Sequence, residues 1–337
     1  MSERAEDIQA FLQGTPWAGS EVLPLAADAS FRIYRRVVGG PEPAVLMDAP
    51  PEKEDTRAFV RVAEHLLDMG FSAPRIFARD EALGFLLLED FGDATFTKLL
   101  RQGADETRFY DRATDLLCDL HDRAENKALP EWFPPYDRDV LMKEALLLPD
   151  WFLPAAGTAT APPVRDDYIA AWDQVFPKAL KGPKTLVLRD YHVDNIIFLE
   201  DRPGFQALGL LDFQDALAGH PAYDLMSLLE DARRDVGEEL TARQLARYQE
   251  ARSICNRDDF TTAYAVLGAG RHAKVIGIFT RLMVRDRKPA YLKHVPRVWR
   301  LLERSLDHPA LEPVRRWMDA HVPKSLRSKP ILDESGR

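Results

Sequence analysis

An aspartate, an asparagine five residues on, and a second aspartate after a further apolar run supply the groups that phosphoryl transfer from ATP requires. Residues 185–198 read TLVLRDYHVDNIIF and residues 210–215 read LLDFQD. The attacking hydroxyl needs a carboxylate to orient it or take its proton, and oxygen donors must hold Mg²⁺ on the triphosphate. Asp190 answers the first need, Asn195 and Asp212 the second, since amide and carboxylate oxygens are hard donors suited to Mg²⁺. Asp and Asn also favour ordinary turns. The apolar runs Thr185–Leu188, Ile196–Leu199 and Leu208–Leu211 argue for more than turns, because three short strands would let the three side chains converge.

The elements around this segment divide in two. Phe31–Val38 and Ala44–Met47 are apolar-rich runs separated by Gly39-Gly40-Pro41, which reads as a hairpin. Phe59, Val62, Ala63 and Leu66 have helical spacing over about 56–69, and Gly70 follows as a stop. Phe85–Leu88 is strand-like and runs into the polar break Glu89-Asp90-Phe91-Gly92-Asp93. Beyond it helical patterns dominate, at about 105–121, 138–148, 164–180, 222–233, 241–254, 258–268, 271–285, 293–305 and 311–320. The Pro/Ala/Thr-rich stretch 149–163 reads as a loop, and the tail beyond 322 as frayed. The expectation is an α+β protein of two lobes, a small β-rich lobe at 1–88 and a large helical lobe at 89–337.

Bulk properties narrow the classes. The chain has 337 residues with 46% hydrophobic and 29% charged side chains, as in a soluble globular protein. Its net charge of −9 argues against a general nucleic-acid binder. Cys118 and Cys255 make no metal spacing and no disulfide framework. No basic segment followed by an apolar one opens the chain and no apolar run is long enough for a membrane span, so a cytoplasmic location is expected. The histidines show no zinc spacing, and no G-x-x-x-x-G-K-[ST] loop is present.

The order R-D-x-x-x-x-N followed by Asp-Phe resembles the protein-kinase signature. More closely it resembles the aminoglycoside phosphotransferase family, whose usual H-G-D-x-x-x-x-N is here Leu188-Arg189-Asp190 through Asn195, with His192 where that family often has a second His. Leu211-Asp212-Phe213 and Gly219-His220-Pro221-Ala222-Tyr223-Asp224-Leu225 follow in the family's order, and the resemblance makes Asp224 a structural support of the catalytic loop. Within the family, Ala29-Ser30-Phe31-Arg32-Ile33-Tyr34-Arg35-Arg36-Val37, Leu46-Met47-Asp48-Ala49-Pro50-Pro51-Glu52, Arg271-His272-Ala273-Lys274 and Gly277-Ile278-Phe279-Thr280-Arg281-Leu282 resemble the anomeric N-acetylmuramate/N-acetylglucosamine 1-kinases of cell-wall recycling. The resemblance implies a two-lobed protein-kinase-like fold, ATP and Mg²⁺ as cofactors, and an amino sugar as substrate. It also implies Asp190 and Arg189 as catalytic residues, Asn195 and Asp212 as metal ligands, and Glu89 in the segment whose backbone holds adenine.

One departure stands out. Protein kinases carry a phosphate-gripping Lys on the third strand, and the equivalent position here is Met47. No Gly-rich loop precedes it; Ala26-Ala27-Asp28-Ala29-Ser30 stands there. Either Arg32 or Arg35 supplies the cation, with Ser30 at the phosphates, or the site is impaired; the intact carboxylates favour the first. Glu64 is either the partner of that cation or a solvated helix residue. For the acceptor, residues 271–300 hold nine Lys/Arg against one acid. Arg271 and His272 are expected to meet an anionic group, with Asp215 and Tyr223 at the sugar. Glu230, Asp231 and Asp235 with Asp215 offer an acidic alternative suited to an aminoglycoside; choline, homoserine and a non-catalytic nucleotide-binding regulator complete the rival readings.

Overall fold

The computed structural model describes residues 3–328 apart from 26–30, 128, 159 and 255. The chain divides into two compact units, Met1–Leu116 with Val193–Ala216, and Leu117–His192 with Leu217–Arg337. The first unit therefore takes in chain beyond residue 88, including the turn-rich stretch that carries Asn195 and Asp212.

The first unit is built on a five-stranded antiparallel sheet of β1 (Glu21–Pro24), β2 (Ile33–Val38), β3 (Ala44–Asp48), β4 (Ile76–Asp80) and β5 (Phe85–Glu89), in the order β1-β2-β3-β5-β4. The hairpin read at 31–47 is present, with Tyr34 opposite Met47 and Arg36 opposite Val45. Alternation along the strands decides what each residue faces. Val37, Ala44 and Leu46 pack with Ile8, Leu12, Trp17, Phe85 and Leu87 in one core. Tyr34, Arg36 and Val45 line a cavity. The helix Glu3–Gln13, which covers the core face, and the strands β1 and β4 were not expected: the helix is mostly polar, and the strands are short.

The expected helix at 56–69 is Thr56–Asp68, with Phe59, Val62, Ala63 and Leu66 all buried. The Asp55 carboxylate starts it by accepting from Arg57 N at 2.9 Å. Gly70 ends it with φ +86°, which a side chain would resist. Glu64 lies on its outer side, 3.6 Å from Arg79, so the solvated-helix reading holds for it.

The second unit is mostly helical. Its axis is the 28-residue helix Arg257–Val284, buried around most of its girth. Two helices had been expected here, broken near Gly268 and Gly270. Both glycines instead fit inside one helix at close packing distances; a Cβ on Gly268 would stand 3.4 Å from Met226. The stretch 149–163 is also not a simple loop: a π-turn at Leu148–Phe152 passes into a short turn at Leu153–Ala155, and the helix Pro162–Asp173 follows. Trp299 packs edge-on to Phe152 with ring centres 5.2 Å apart and is fully buried.

Gly277 sits where the long helix passes Leu147; a Cβ there would lie 2.3 Å from the Leu147 carbonyl carbon and oxygen. Backbone cannot swing aside as a side chain does. Gly277→Ala is therefore expected to lower the unfolding free energy by about 1–3 kcal/mol despite alanine's better helix propensity. Urea unfolding checks this; a variant as stable as the parent would contradict the close approach.

Candidate active site

Two short pairings carry the chemistry-bearing segment. In the first unit β7 (Ile196–Phe198) pairs with β8 (Leu208–Leu210), Ile196 opposite Leu210. Leu211 N donates to Asn195 O at 3.0 Å, extending the ladder by one step. Asn195 and Asp212 thus leave the ribbon at the same end, and both line one cavity. Asp212 has φ +57°, a left-handed conformation that costs a non-glycine residue about 1 kcal/mol or more. Phe213, buried against Phe59 with ring centres 5.0 Å apart, and the Gln214 Nε2 to Asp212 Oδ1 bond of 2.9 Å hold it there.

That cavity, about 310 Å³, has apolar walls from Val45, Phe59 and Leu88 and a polar end at Asn195 and Asp212. The segment after β5 forms one side. Arg36 fixes it, with its guanidinium 2.5 Å from Asp90 and 2.9 Å from Asp93. Asp90 also accepts from Gly92 N at 2.7 Å. Glu89 lines the cavity, but its carboxylate is held by Arg75 at 3.2 Å and by Arg202. Two oxygen donors at one end of a cavity suit a hard divalent ion that keeps its remaining ligands from phosphate and water.

The two arginines proposed for the missing strand lysine part company. Arg32 lies 3.7 Å from Asp212 and 3.7 Å from Glu54, largely buried. Arg35 points to the other face of the sheet, 2.9 Å from the buried carboxylate of Asp48, which Arg4 also reaches. Neighbours along a strand face opposite ways, so Arg35 is not a cavity residue although Tyr34 and Arg36 are. Met47 is buried. Ser30 lies outside the described residues. Asp215 is exposed, and its charge acts on Arg32.

In the second unit β6 (Thr185–Val187) pairs with β9 (Leu217–Gly219), and the chain turns sharply after Leu188. Arg189 has φ +71°, where the resembled family carries glycine. Asp224, fully buried on the helix Ala222–Leu229, accepts from Leu188 N at 2.6 Å and from Arg189 N at 2.9 Å. These bonds hold a conformation that arginine would not choose. Burial pushes the Asp224 pKa up to about 7 against the lowering effect of the two backbone bonds.

Beside this turn lies a buried charge network. Glu144 takes Arg189, Lys274 at 2.9 Å and the Tyr136 hydroxyl at 2.5 Å. Arg271 lies 3.8 Å from Asp190, whose side chain keeps 38% of its surface open. Desolvation works to raise the Asp190 pKa, but Lys274 and Arg271, then Arg189, outweigh it and hold the carboxyl below the ordinary aspartate value. His192 Nε2 stands 3.2 Å from Arg233 Nη1, so that nitrogen accepts and the ring is neutral.

His272 is turned away from the place expected for it. Its Nε2 meets Glu230 at 2.6 Å inside the core, and Arg304 reaches the same carboxylate at 3.1 Å. Successive helix residues point about 100° apart, so Arg271 and His272 cannot share one face. Tyr223 is buried against Tyr136 at 4.9 Å between ring centres, in the interior rather than at a sugar face. Glu144, Tyr136 and Arg233 were not singled out from sequence. The available signal was Glu144 itself, an acid on the same helix face as Leu141, Ala145 and Leu148.

Comparison with known proteins follows the same lines. Residues 21–262 match the model of a phosphotransferase enzyme family. The N-acetylmuramate/N-acetylglucosamine kinase of Caulobacter vibrioides is 34% identical, the alignment covering 97% of this chain and 99% of that protein. The kinase of the same name from Pseudomonas aeruginosa is 39% identical over 84% and 83%. A choline kinase of Streptococcus pneumoniae (TM-score 0.58, 12% identity, covering 94% and 98%) shares the fold. So does an aminoglycoside 2′-phosphotransferase solved with GDP (TM-score 0.60, 15% identity, covering 90% and 98%). The fold is the α+β, protein-kinase-like one that the resemblance implied.

The raised pKa of Asp224 has a consequence for stability. Between about pH 4 and about pH 7 the folded protein keeps a proton on Asp224 that the unfolded chain has released. The associated stability is full below the unfolded value and is lost as pH rises through 7. Unfolding free energy should fall less steeply across that window in Asp224→Asn than in the parent. Parallel slopes in urea titrations at several pH values would contradict the assignment.

Proposed function

The chain belongs to the phosphotransferase enzyme family, and we propose that it transfers the γ-phosphoryl group of ATP to the anomeric hydroxyl of N-acetylmuramate and N-acetylglucosamine, giving the sugar 1-phosphate. The observation that carries the reading is Asp190, a part-open carboxylate at a strained turn, kept ionised by surrounding cations. The acceptor is supported by relatives that bear those two sugars in their names at 34–39% identity.

Asp190 orients the hydroxyl and takes its proton as the oxygen–phosphorus bond forms and the bond from the γ-phosphorus to the bridging oxygen of ADP breaks. An anomeric hydroxyl is more acidic than an ordinary alcohol, so a carboxylate of low pKa suffices as base. Asn195 and Asp212 would hold Mg²⁺, which when bound neutralises charge on the triphosphate. Arg32, the cation beside Asp212, takes the role of the absent strand lysine, and the backbone of the segment through Glu89 and Asp90 takes the nucleotide base. Arg189 braces the loop through Glu144. Rate enhancement then comes from positioning and charge placement. A cytoplasmic site of action belongs to the same proposal, since that is where ATP is available.

An aminoglycoside is a polycation and needs free carboxylates. Of the four carboxylates that offered an acidic pocket, Glu230 is taken by His272 and Arg304, and Asp235 by Arg297 and Arg300, which lessens the support for such a pocket.

³¹P NMR of the protein with MgATP and each sugar tests the reaction and its regiochemistry together. A sugar 1-phosphate resonance is expected for both. Formation of ADP and free phosphate alone, or a phosphate ester at another hydroxyl, would contradict the proposal. Asp190→Asn is expected to lower kcat by roughly a thousandfold, within the range a general base supplies; turnover within tenfold of the parent would remove Asp190 from that role.

A further inference from the structure

A side chain that holds a metal is itself held by groups behind it, and loss of one such group typically costs about 10–100-fold in metal affinity. For Asn195 the ladder supplies part of that support: Leu211 N donates to Asn195 O at 3.0 Å, and β7 begins at the next residue. Val193 and Asp194, just before it, lie in a turn outside β7. Their placement therefore depends on contacts other than the pairing with β8.

The segment that continues from Asp93 supplies such contacts along the other edge of β7. Phe198 N donates to Ala94 O at 2.8 Å, and Thr95 forms a bridge with Ile197. Thr95 then caps the helix Phe96–Arg101, its hydroxyl accepting from Lys98 N at 3.1 Å. Phe96 is buried and meets Phe109 edge-on with ring centres 4.5 Å apart, and Phe109 lies 5.8 Å from Phe198. This packing seats the helix on β7 and brings Thr97 onto the turn. Thr97 N donates to Val193 O at 3.1 Å, and the Thr97 hydroxyl donates to the Asp194 carboxylate. Thr97 thus grips the two residues before Asn195, one through its backbone and one through its side chain. A hydroxyl donating to a carboxylate makes a charge-assisted bond, stronger than one between neutral groups.

We propose that Thr97 and Asp194 are positioning residues for the metal: their hydrogen bond sets the turn that presents the Asn195 amide beside Asp212. The inference rests on the reading of Asn195 and Asp212 as the Mg²⁺ ligands. Neither Thr97 nor Asp194 is among the residues that line the cavity, so both act through Asn195. The wall assigned to the nucleotide base is fastened separately, by Arg36 to Asp90 and Asp93. Loosening the turn weakens the metal-dependent part of nucleotide binding and spares the rest.

Titration calorimetry of the full-length protein with a non-hydrolysable ATP analogue, in Mg²⁺ and in EDTA, tests this for the parent, Thr97→Val and Thr97→Ser. The parent is expected to bind more tightly in Mg²⁺. In Thr97→Val that gain should fall about tenfold, as for loss of a group behind a metal ligand, while Kd in EDTA stays within about twofold of the parent's. Thr97→Ser keeps a hydroxyl and should restore most of the gain. Valine matches threonine in shape and leaves the backbone bond to Val193 in place, so the helix keeps its seat. If Thr97→Val does not fold, Asp194→Ala removes the same bond from its other side and carries the same expectation. A gain within about twofold of the parent's, or equal weakening with and without Mg²⁺, overturns the inference alone. A parent whose nucleotide affinity is indifferent to Mg²⁺ overturns the metal assignment and the inference with it.

Discussion

The turn that presents Asp190 depends on one buried carboxylate. Asp224 accepts the backbone N–H groups of Leu188 and Arg189 at 2.6 and 2.9 Å, and so holds Arg189 at φ +71°, a conformation that costs a residue with a Cβ about 1 kcal/mol or more. Two N–H groups left without acceptors in that interior would cost more than the strain they now offset. Asp224 can take them because β9 and the helix Ala222–Leu229 follow each other with almost no intervening chain. The register of β6 against β9 therefore sets both the strand that leads into the turn and the helix that clamps it.

A second constraint is charge balance. Arg189, Arg271 and Lys274 are all withdrawn from water, and buried charges are expensive unless paired. Glu144 serves two of them and Asp190 faces the third. The arrangement is not an efficient source of stability; apolar residues of similar volume often do as well. What it does provide is an electrostatic setting in which Asp190 stays ionised while partly desolvated, as the role proposed for it requires.

The segment 185–215 was legible in the sequence because strand periodicity and motif spacing coincide there. Asp190, Asn195 and Asp212 stand out by residue type and spacing, and Asp224 by the family resemblance; the catalytic and metal-binding roles given to the first three are proposals. What failed did so for geometric reasons. Arg32 and Arg35 look interchangeable as letters, and only the sheet's faces separate them. Arg271 and His272 form one phrase in the sequence, yet a helix turns adjacent side chains apart, and one meets Asp190 while the other meets Glu230. The helical patterns at 258–268 and 271–285 are one helix, which uses Gly268 and Gly270 for close packing. Glu144 looked like one more helix acid, because its partners come from residues far along the chain.

If the cations around Asp190 keep it ionised, removing one must make the carboxyl easier to protonate. The pH dependence of kcat/KM, compared between the parent and Arg271→Gln, measures this directly, since it reports the pKa of the free enzyme's base. The account predicts that the acid limb of the variant lies at higher pH than the parent's. Coincident acid limbs would contradict it, and would mean that the ionisation of Asp190 is set by something other than the charges packed around it.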